Sequence, residues 1–316
     1  MKKSIAITII LKLLFASVLI AWFLHKNDLH KIVAIVSSFP PVIFLIAVLL
    51  MFVLILFNAV KWFLLLPQYS IIKLFEINLI GQYYGLILPG QILGEGAKAY
   101  LLGKNKSDKG TVWMSVMLDK VTGIIALFTL GLFGIIFTKQ KLPVWLDFTL
   151  LLLICMSFLF LFLIRIKFIY SFLTNLLNKL NVHFKKLNRV TSLLFKFMDA
   201  WLIYTQKTKI LFLSIATGIV GQTLSIIINM ILAHAISIEV SFTDWCWIQA
   251  VVSIVILLPV TIGGIGLREG SLIGLLGLFS VSAETALALS FALFSLQIIR
   301  AIAGGILDYR LTLVRN

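Results

Sequence analysis

The sequence predicts an all-α, polytopic integral membrane protein with six full spans and two re-entrant or broken helical hairpins in an inverted-topology repeat. Three observations predict it. Of 316 residues, 61% are hydrophobic and 12% charged, with a mean hydropathy of +1.11. An ordinary soluble domain is roughly 45–50% apolar and about 25% charged. Apolar runs near 20 residues, the length that crosses a bilayer as a helix, recur along the chain. Two further apolar segments are each interrupted by Leu-Pro with glycines close behind. Nothing in this composition is polar enough to stay disordered in water.

The continuous spans fall at about 5–24, 42–66, 112–138, 146–164, 210–236 and 283–307. The first follows Met1-Lys2-Lys3 and ends at His25-Lys26 without a small-x-small cleavage site, so it is expected to stay as a span rather than leave as a signal peptide. The broken segments run over about 74–102, interrupted at Leu88-Pro89-Gly90, and about 245–279, interrupted at Leu258-Pro259 with Gly263, Gly264 and Gly266 behind it. Proline removes a backbone donor and glycine permits a sharp turn. Broken backbone at membrane depth is tolerated where protein or a water-filled cavity surrounds it.

Charge orients the layout. The net charge is +15, from 27 Lys and Arg against 12 Asp and Glu. In a soluble protein that balance would suggest nucleic acid; in a polytopic one it marks cytoplasmic loops and anionic lipid, and no nucleic-acid partner is expected. The stretch 165–209 carries nine basic residues and one acid, Asp199. It is the strongest inside signal; Lys2, Lys3 and Lys12 are expected to hold the N-terminus in the cytoplasm, and Arg310 and Arg315 the C-terminus. Glu239 and Asp244 read as an acidic outside loop, and Lys139 to Lys141 is discordant. Within 165–209, Leu173, Leu176, Leu180, Phe184 and Leu187 recur at helical spacing among lysines. That pattern suits a helix lying on anionic lipid, or topology control alone.

The order span, broken segment, span over 42–138 returns over 210–307, with the two hairpins entering from opposite sides. The chain reads as a single transmembrane domain: repeat one, the basic loop at 165–209, then repeat two. In both interruptions Leu-Pro is followed by glycines and then Glu-Gly, at Glu95-Gly96 and Glu269-Gly270. Inverted repeats of this kind are common in transporters. Coincidence in a glycine-bearing apolar chain is the rival reading.

Charges at membrane depth are costly and by default mark a site. Glu95 and Lys98 follow the first break, three residues apart and on one helical face. Arg268 and Glu269 follow the second, and Asp119 and Lys120 sit within the third continuous span. Lys98 and Arg268, beside fresh helix N-termini, could hold a phosphate. Glu95, Asp119 and Glu269 could neutralise those cations or receive an amine. Arg300 and Lys120, placed near span ends, are expected to snorkel. Asn58 and Asn229 occupy the first span of each half and suggest a shared cavity; Asn78, Gln82, Gln222 and Gln297 are expected to bond between helices. Pro89, Gly90, Gly94, Pro259, Gly263, Gly264 and Gly266 are the expected structural breaks.

No Walker loop, zincin helix or Gly-x-Ser-x-Gly elbow occurs. Cys155 and Cys246 and the four histidines have no metal-ligand spacing. No catalytic residue, metal or cofactor is expected, and the longest non-spanning stretch, about 45 residues, is near the lower limit for a stable domain.

Asn58-Ala59-Val60-Lys61-Trp62, Leu88-Pro89-Gly90 through Glu95-Gly96-Ala97-Lys98-Ala99-Tyr100, and Gly263-Gly264-Ile265-Gly266-Leu267-Arg268-Glu269-Gly270 resemble the lysylphosphatidylglycerol synthase transmembrane-region family. The resemblance covers nearly the whole chain. It implies a flippase-like membrane domain that moves aminoacylated phosphatidylglycerol or related polar lipids. A chain ending at Asn316 is expected to be a stand-alone member without the soluble aminoacyl-transferase domain. Lys61, Glu95 and Asp119-Lys120 stand where the family usually has Arg, Asp and Glu-Arg, and lysine cannot make arginine's bidentate phosphate contact.

The function expected is therefore movement of a phosphate-bearing polar lipid, aminoacyl-phosphatidylglycerol-like or polyprenyl-phosphate-linked, between leaflets. The alternatives are a proton-coupled secondary transporter of a small anionic solute and a membrane-embedded glycosyltransferase. Anionic or phosphate-bearing lipids are the expected partners. A separate lipid-modifying enzyme and a second copy of the chain are further candidates.

Overall fold

Charged side chains are buried in this molecule and large apolar ones cover it. Lys61, Lys98, Arg268 and Glu269 are buried, while Val42, Leu45, Leu49, Phe212 and Ile302 stand exposed on helix surfaces. A soluble domain does the reverse; a bilayer accepts such a surface provided the backbone is satisfied internally, as helices satisfy it. The computed structural model describes residues 14, 17–19, 21–88, 91–104, 109–140, 144–163, 170–172, 174–176, 178, 191, 194–195, 198–199, 201–203, 206–257, 261 and 263–315. Among these the regular structure is helical throughout.

The elements are α1 (Leu29–Ser37), α2 (Pro41–Leu65), α3 (Ile71–Ile87), α4 (Gln91–Gly103), α5 (Lys109–Phe137), α6 (Val144–Leu163), α7 (Thr208–His234), α8 (Phe242–Leu257), α9 (Leu267–Gly277) and α10 (Ala283–Arg315). Asp28 caps α1, accepting from the His30 and Lys31 amides, and proline opens α2, where its fixed φ suits a first helical position. Among the described residues four helices are long and apolar enough to cross a membrane: α2, α5, α7 and α10. At 1.5 Å per residue each exceeds the roughly 30 Å hydrocarbon core. The protein is a membrane-embedded, multi-pass helical protein. The span expected at 146–164 coincides with helix α6. Much of the one at 5–24 lies outside the described residues, which hold a shorter apolar helix, Ser17–Lys26. Most of the basic stretch 165–209 lies outside them too.

Both interruptions fall between short helices, α3 and α4 (17 and 13 residues) and α8 and α9 (16 and 11 residues). None reaches the ~20 residues of a full span. Pro89, Gly90 and Pro259 lie outside the described residues. α4 folds back antiparallel on α3. A methyl group on Gly94 would stand 2.5 Å from the Gly81 carbonyl oxygen and 2.9 Å from Gly85 Cα, and Lys98 crosses Gly81 one turn later. Ahead of α9 the chain turns through Gly263, Gly264 and Gly266 at φ of +64°, +76° and +85°, where any Cβ is strained.

Helices distant in sequence then pair: α2 with α7, α3 with α10, and α5 with α8. Glycines set the last two contacts. Gly304 of α10 lies against the Leu79 carbonyl of α3, and Gly134 of α5 against the Thr243 carbonyl and Cys246 of α8. Small residues let helix backbones approach closely in membranes. The Tyr84 hydroxyl donates to Asp308 at 2.8 Å, tying α3 to α10. Asp244, expected in an acidic loop, is instead buried in the first turn of α8. It accepts from Ser241 at 2.5 Å, from Trp247 Nε1 at 3.2 Å and from Thr138 at the end of α5. Its negative charge suits a helix N-terminus.

Candidate functional site

Between the paired halves lies a partly open cavity of about 390 Å³, within the range of small-ligand sites. Polar groups from both halves line it. They fall into a lysine side, built by the first half, and an arginine side, built by the second.

The lysine side begins on α4. Lys98 lies one turn beyond Glu95, and its Nζ stands 2.6 Å from Glu95 Oε2. The same ammonium donates to Asn78 Oδ1 at 3.0 Å and lies 5.1 Å from the centre of the Trp62 ring. Trp62 is fully buried and donates from Nε1 to Ser115 Oγ at 3.0 Å, which fixes its ring beneath Lys98. Lys120 of α5 reaches Glu95 Oε1 at 3.8 Å. Lys61 of α2 stands 3.1 Å from Asp119 Oδ1 and donates to the Asp119 backbone carbonyl at 2.5 Å. Gly123, one turn beyond Asp119, makes room for it, since a methyl group there would meet Lys61 Nζ at 3.2 Å. Three cations thus share two carboxylates.

The arginine side has no contact ion pair among the described residues: Glu269, buried beside Arg268 and outside the lining, is the carboxylate whose charge acts on it. Arg268, in the first turn of α9, donates from Nη2 to the Gly263 carbonyl and to Gln297 Oε1, both at 3.2 Å, with Phe294 at 5.4 Å from its guanidinium. Arg300 follows one turn after Gln297 on α10 and also lines the cavity. The Nε atoms of both arginines are buried and lack a hydrogen-bond partner. Among the described residues no carboxylate lies within ion-pair distance of either guanidinium. Across the lining, Lys61, Lys98, Lys120, Arg268 and Arg300 face Glu95 and Asp119, an excess of three positive charges.

Of the expected site residues, Asn58, Glu95, Lys98, Asp119, Asn229 and Arg268 line the cavity together. Asn229 donates to Gln249 at 2.6 Å, an α7–α8 bond that turns both amides to its wall. Glu269 does not line it. Its neighbour Arg268 faces the cavity, and one residue on, the helix has turned away. Glu269 Oε2 accepts from the Gly266 amide at 2.6 Å and Oε1 from Ser290 at 2.7 Å, so this carboxylate caps α9. Lys98, expected to hold a phosphate or to be neutralised by a carboxylate, is matched by Glu95 and Asn78. Lys120 and Arg300, expected to snorkel, both line the cavity, Lys120 with its side chain 38% exposed. Gly263 lines it, whereas Gly94, Gly264 and Gly266 shape the turns and the hairpin. Sequence reasoning missed Lys61 as a cavity group, and set Arg300, a candidate by its depth, aside as a snorkelling side chain. The signal for Arg300 was Gln297, a second polar residue one turn away in an apolar run.

No match was found among curated proteins or among solved structures. The profile of the lysylphosphatidylglycerol synthase TM region matches residues 9–305, and the chain, matched over nearly its whole length and carrying the motifs that form this cavity, belongs to that family.

Proposed function

We propose that this protein is a lipid flippase, moving a phosphate-bearing polar lipid between the leaflets of a bilayer. Family membership supports a lipid-related role in the membrane. The observation that carries the proposal is the excess of positive charge in the cavity lining, five cations against two carboxylates, set among helices whose outer faces are apolar. Buried charge of one sign is expensive without a counter-charge, and a head group brings one while its tails remain in the bilayer. The cavity suits the volume of a head group, not that of a whole lipid.

The two halves act as an inverted repeat in this reading. Exchanging α2 with α7, α3 with α8, α4 with α9 and α5 with α10 turns the α3–α10 contact into the α8–α5 contact and leaves α2–α7 as it is, which supports this reading, although the broad α5–α7 contact has only a slight counterpart between α10 and α2. Rocking one half against the other would expose the site to each face in turn. Arg268 contacts the phosphate; Lys98, held by Glu95, keeps α4 on α3. No covalent chemistry is assigned to the chain. The setting is a prokaryotic cytoplasmic membrane with both termini inside, and a separate lipid-modifying enzyme or a second copy would act as partner.

Translocation in proteoliposomes tests the proposal with phosphatidylglycerol, its aminoacylated form and a polyprenyl-phosphate sugar, each bearing a reporter on a tail. At least one lipid is expected to equilibrate about tenfold faster with protein, and Arg268→Ala to remove most of that gain. Folded protein that moves none of the three, yet takes up a soluble anion, would overturn it in favour of a solute transporter.

A further inference from the structure

We infer that the cavity selects lipids with a net negative head group, seats the phosphate between Arg268 and Arg300, and rejects the lysylated head group. The inference rests on the flippase reading for its ligand class, and on the distribution of charge for its selectivity.

The arginine side asks for an oxyanion. Arg268 is 6% exposed. It spends Nη2 on Gly263 and Gln297 and leaves Nε without a partner; Arg300, one turn from Gln297, leaves its own buried Nε unpartnered. Two like charges are thus held in one wall with unused donors and, among the described residues, no carboxylate within ion-pair distance; the charge of Glu269 acts on Arg268 from outside the lining. Buried donors without acceptors are costly. Guanidinium forks match the oxygens of a phosphate, and a phosphodiester supplies both the acceptors and the missing charge. Gln297 places this seat, since one side chain touches Arg268 and precedes Arg300 by one turn.

The lysine side decides what else the head group carries. A lysyl ester brings two ammonium groups, which need carboxylates. Glu95 and Asp119 are the carboxylates of the lining, and Lys61, Lys98 and Lys120 already share them. A phosphatidylglycerol head group, at one negative charge, lowers the cavity's excess of three to two. The lysylated form, at one net positive charge, raises it to four. Hydroxyls fit this side better than amines, as Asn58, Gln82 and Gln222 in the lining can bond to them without added charge.

Binding is measured apart from transport. The purified chain in non-ionic detergent is titrated with short-tailed phosphatidylglycerol, its lysyl ester and inorganic phosphate, and unfolding temperatures are followed alongside. Phosphatidylglycerol is expected to bind about tenfold or more tightly than the lysyl ester. Arg268→Gln and Arg300→Gln are each expected to weaken it about tenfold, and Arg300→Lys by less, because charge remains while the fork is lost. Equal affinity for the lysyl ester overturns the selectivity, a comparison that needs no variant to fold. Unchanged affinity in both glutamine variants overturns the seat. Inorganic phosphate that binds as tightly as the lipid, and displaces it, makes the occupant a soluble anion and overturns the lipid assignment. Arginine-dependent lipid binding without translocation in liposomes would leave the seat standing and remove the flippase reading.

Discussion

Glu95 and Glu269 each precede a glycine after a Leu-Pro break, yet they do different work. Glu95 neutralises two lysines at the cavity; Glu269 points away and caps α9. Glu269→Ala is therefore expected to lower stability by about 1–3 kcal/mol, from the lost cap and the stranded Ser290 hydroxyl. Thermal unfolding in detergent checks this. Lys61 and Asp119 form a buried pair, so Lys61→Ala should cost about 3 kcal/mol by leaving the carboxylate alone. The double variant Lys61→Ala, Asp119→Asn should recover part of that loss in the same unfolding measurement. The identity of the buried charges was legible in the sequence, because charge in an apolar run is conspicuous. Their pairing was not, since Lys61 and Asp119 lie 58 positions apart and meet only when α2 packs on α5.

The helix breaks were legible for a local reason. α3 ends at Ile87 and α8 at Leu257, each just before Leu-Pro, and α9 starts after a run of left-handed glycines. Backbone rules of this kind need no tertiary knowledge. What each glycine touches does need it. Gly94→Ala should push α4 off α3 and cost about 1–3 kcal/mol, because the neighbouring atoms are backbone and cannot swing aside. Gly274→Ala, on a face with nothing within 4 Å, should be neutral or gain up to about 1 kcal/mol in helix propensity. Unfolding temperatures of the two variants, compared side by side, would separate packing glycines from incidental ones.

At the scale of the whole chain, helix length misled the sequence reading. The apolar run 283–307 puts Arg300 near its end, where a snorkelling side chain is expected. α10 continues to Arg315, so Arg300 sits mid-helix, half-buried, and lines the cavity. Lys120 lines the cavity too, but with its side chain 38% exposed. The order of elements in the two halves was legible; the pairing of α3 with α10 and α5 with α8 was not, as it depends on contacts across more than a hundred positions. Sidedness can be checked at this scale. Single cysteines at exposed Lys207 and Glu239, beyond the two ends of α7, should react with an impermeant maleimide from opposite faces of sealed vesicles, in a chain with Cys155 and Cys246 replaced by serine. Labelling of both from one face would contradict α7 as a full span.

The imbalance between five cations and two carboxylates also has an electrical consequence. A charge crossing a membrane potential changes energy by about 2.3 kcal/mol per 100 mV. An empty cavity carrying three surplus charges, and a cavity loaded with a singly charged phosphodiester carrying two, feel that field differently as they reorient. A potential that is negative inside would draw the empty site inward more strongly than the loaded one, and so bias the cycle toward collecting lipid from the inner leaflet. Translocation in liposomes holding an imposed potassium-diffusion potential should then run faster in one polarity than in the other, and Arg300→Gln should shrink the difference.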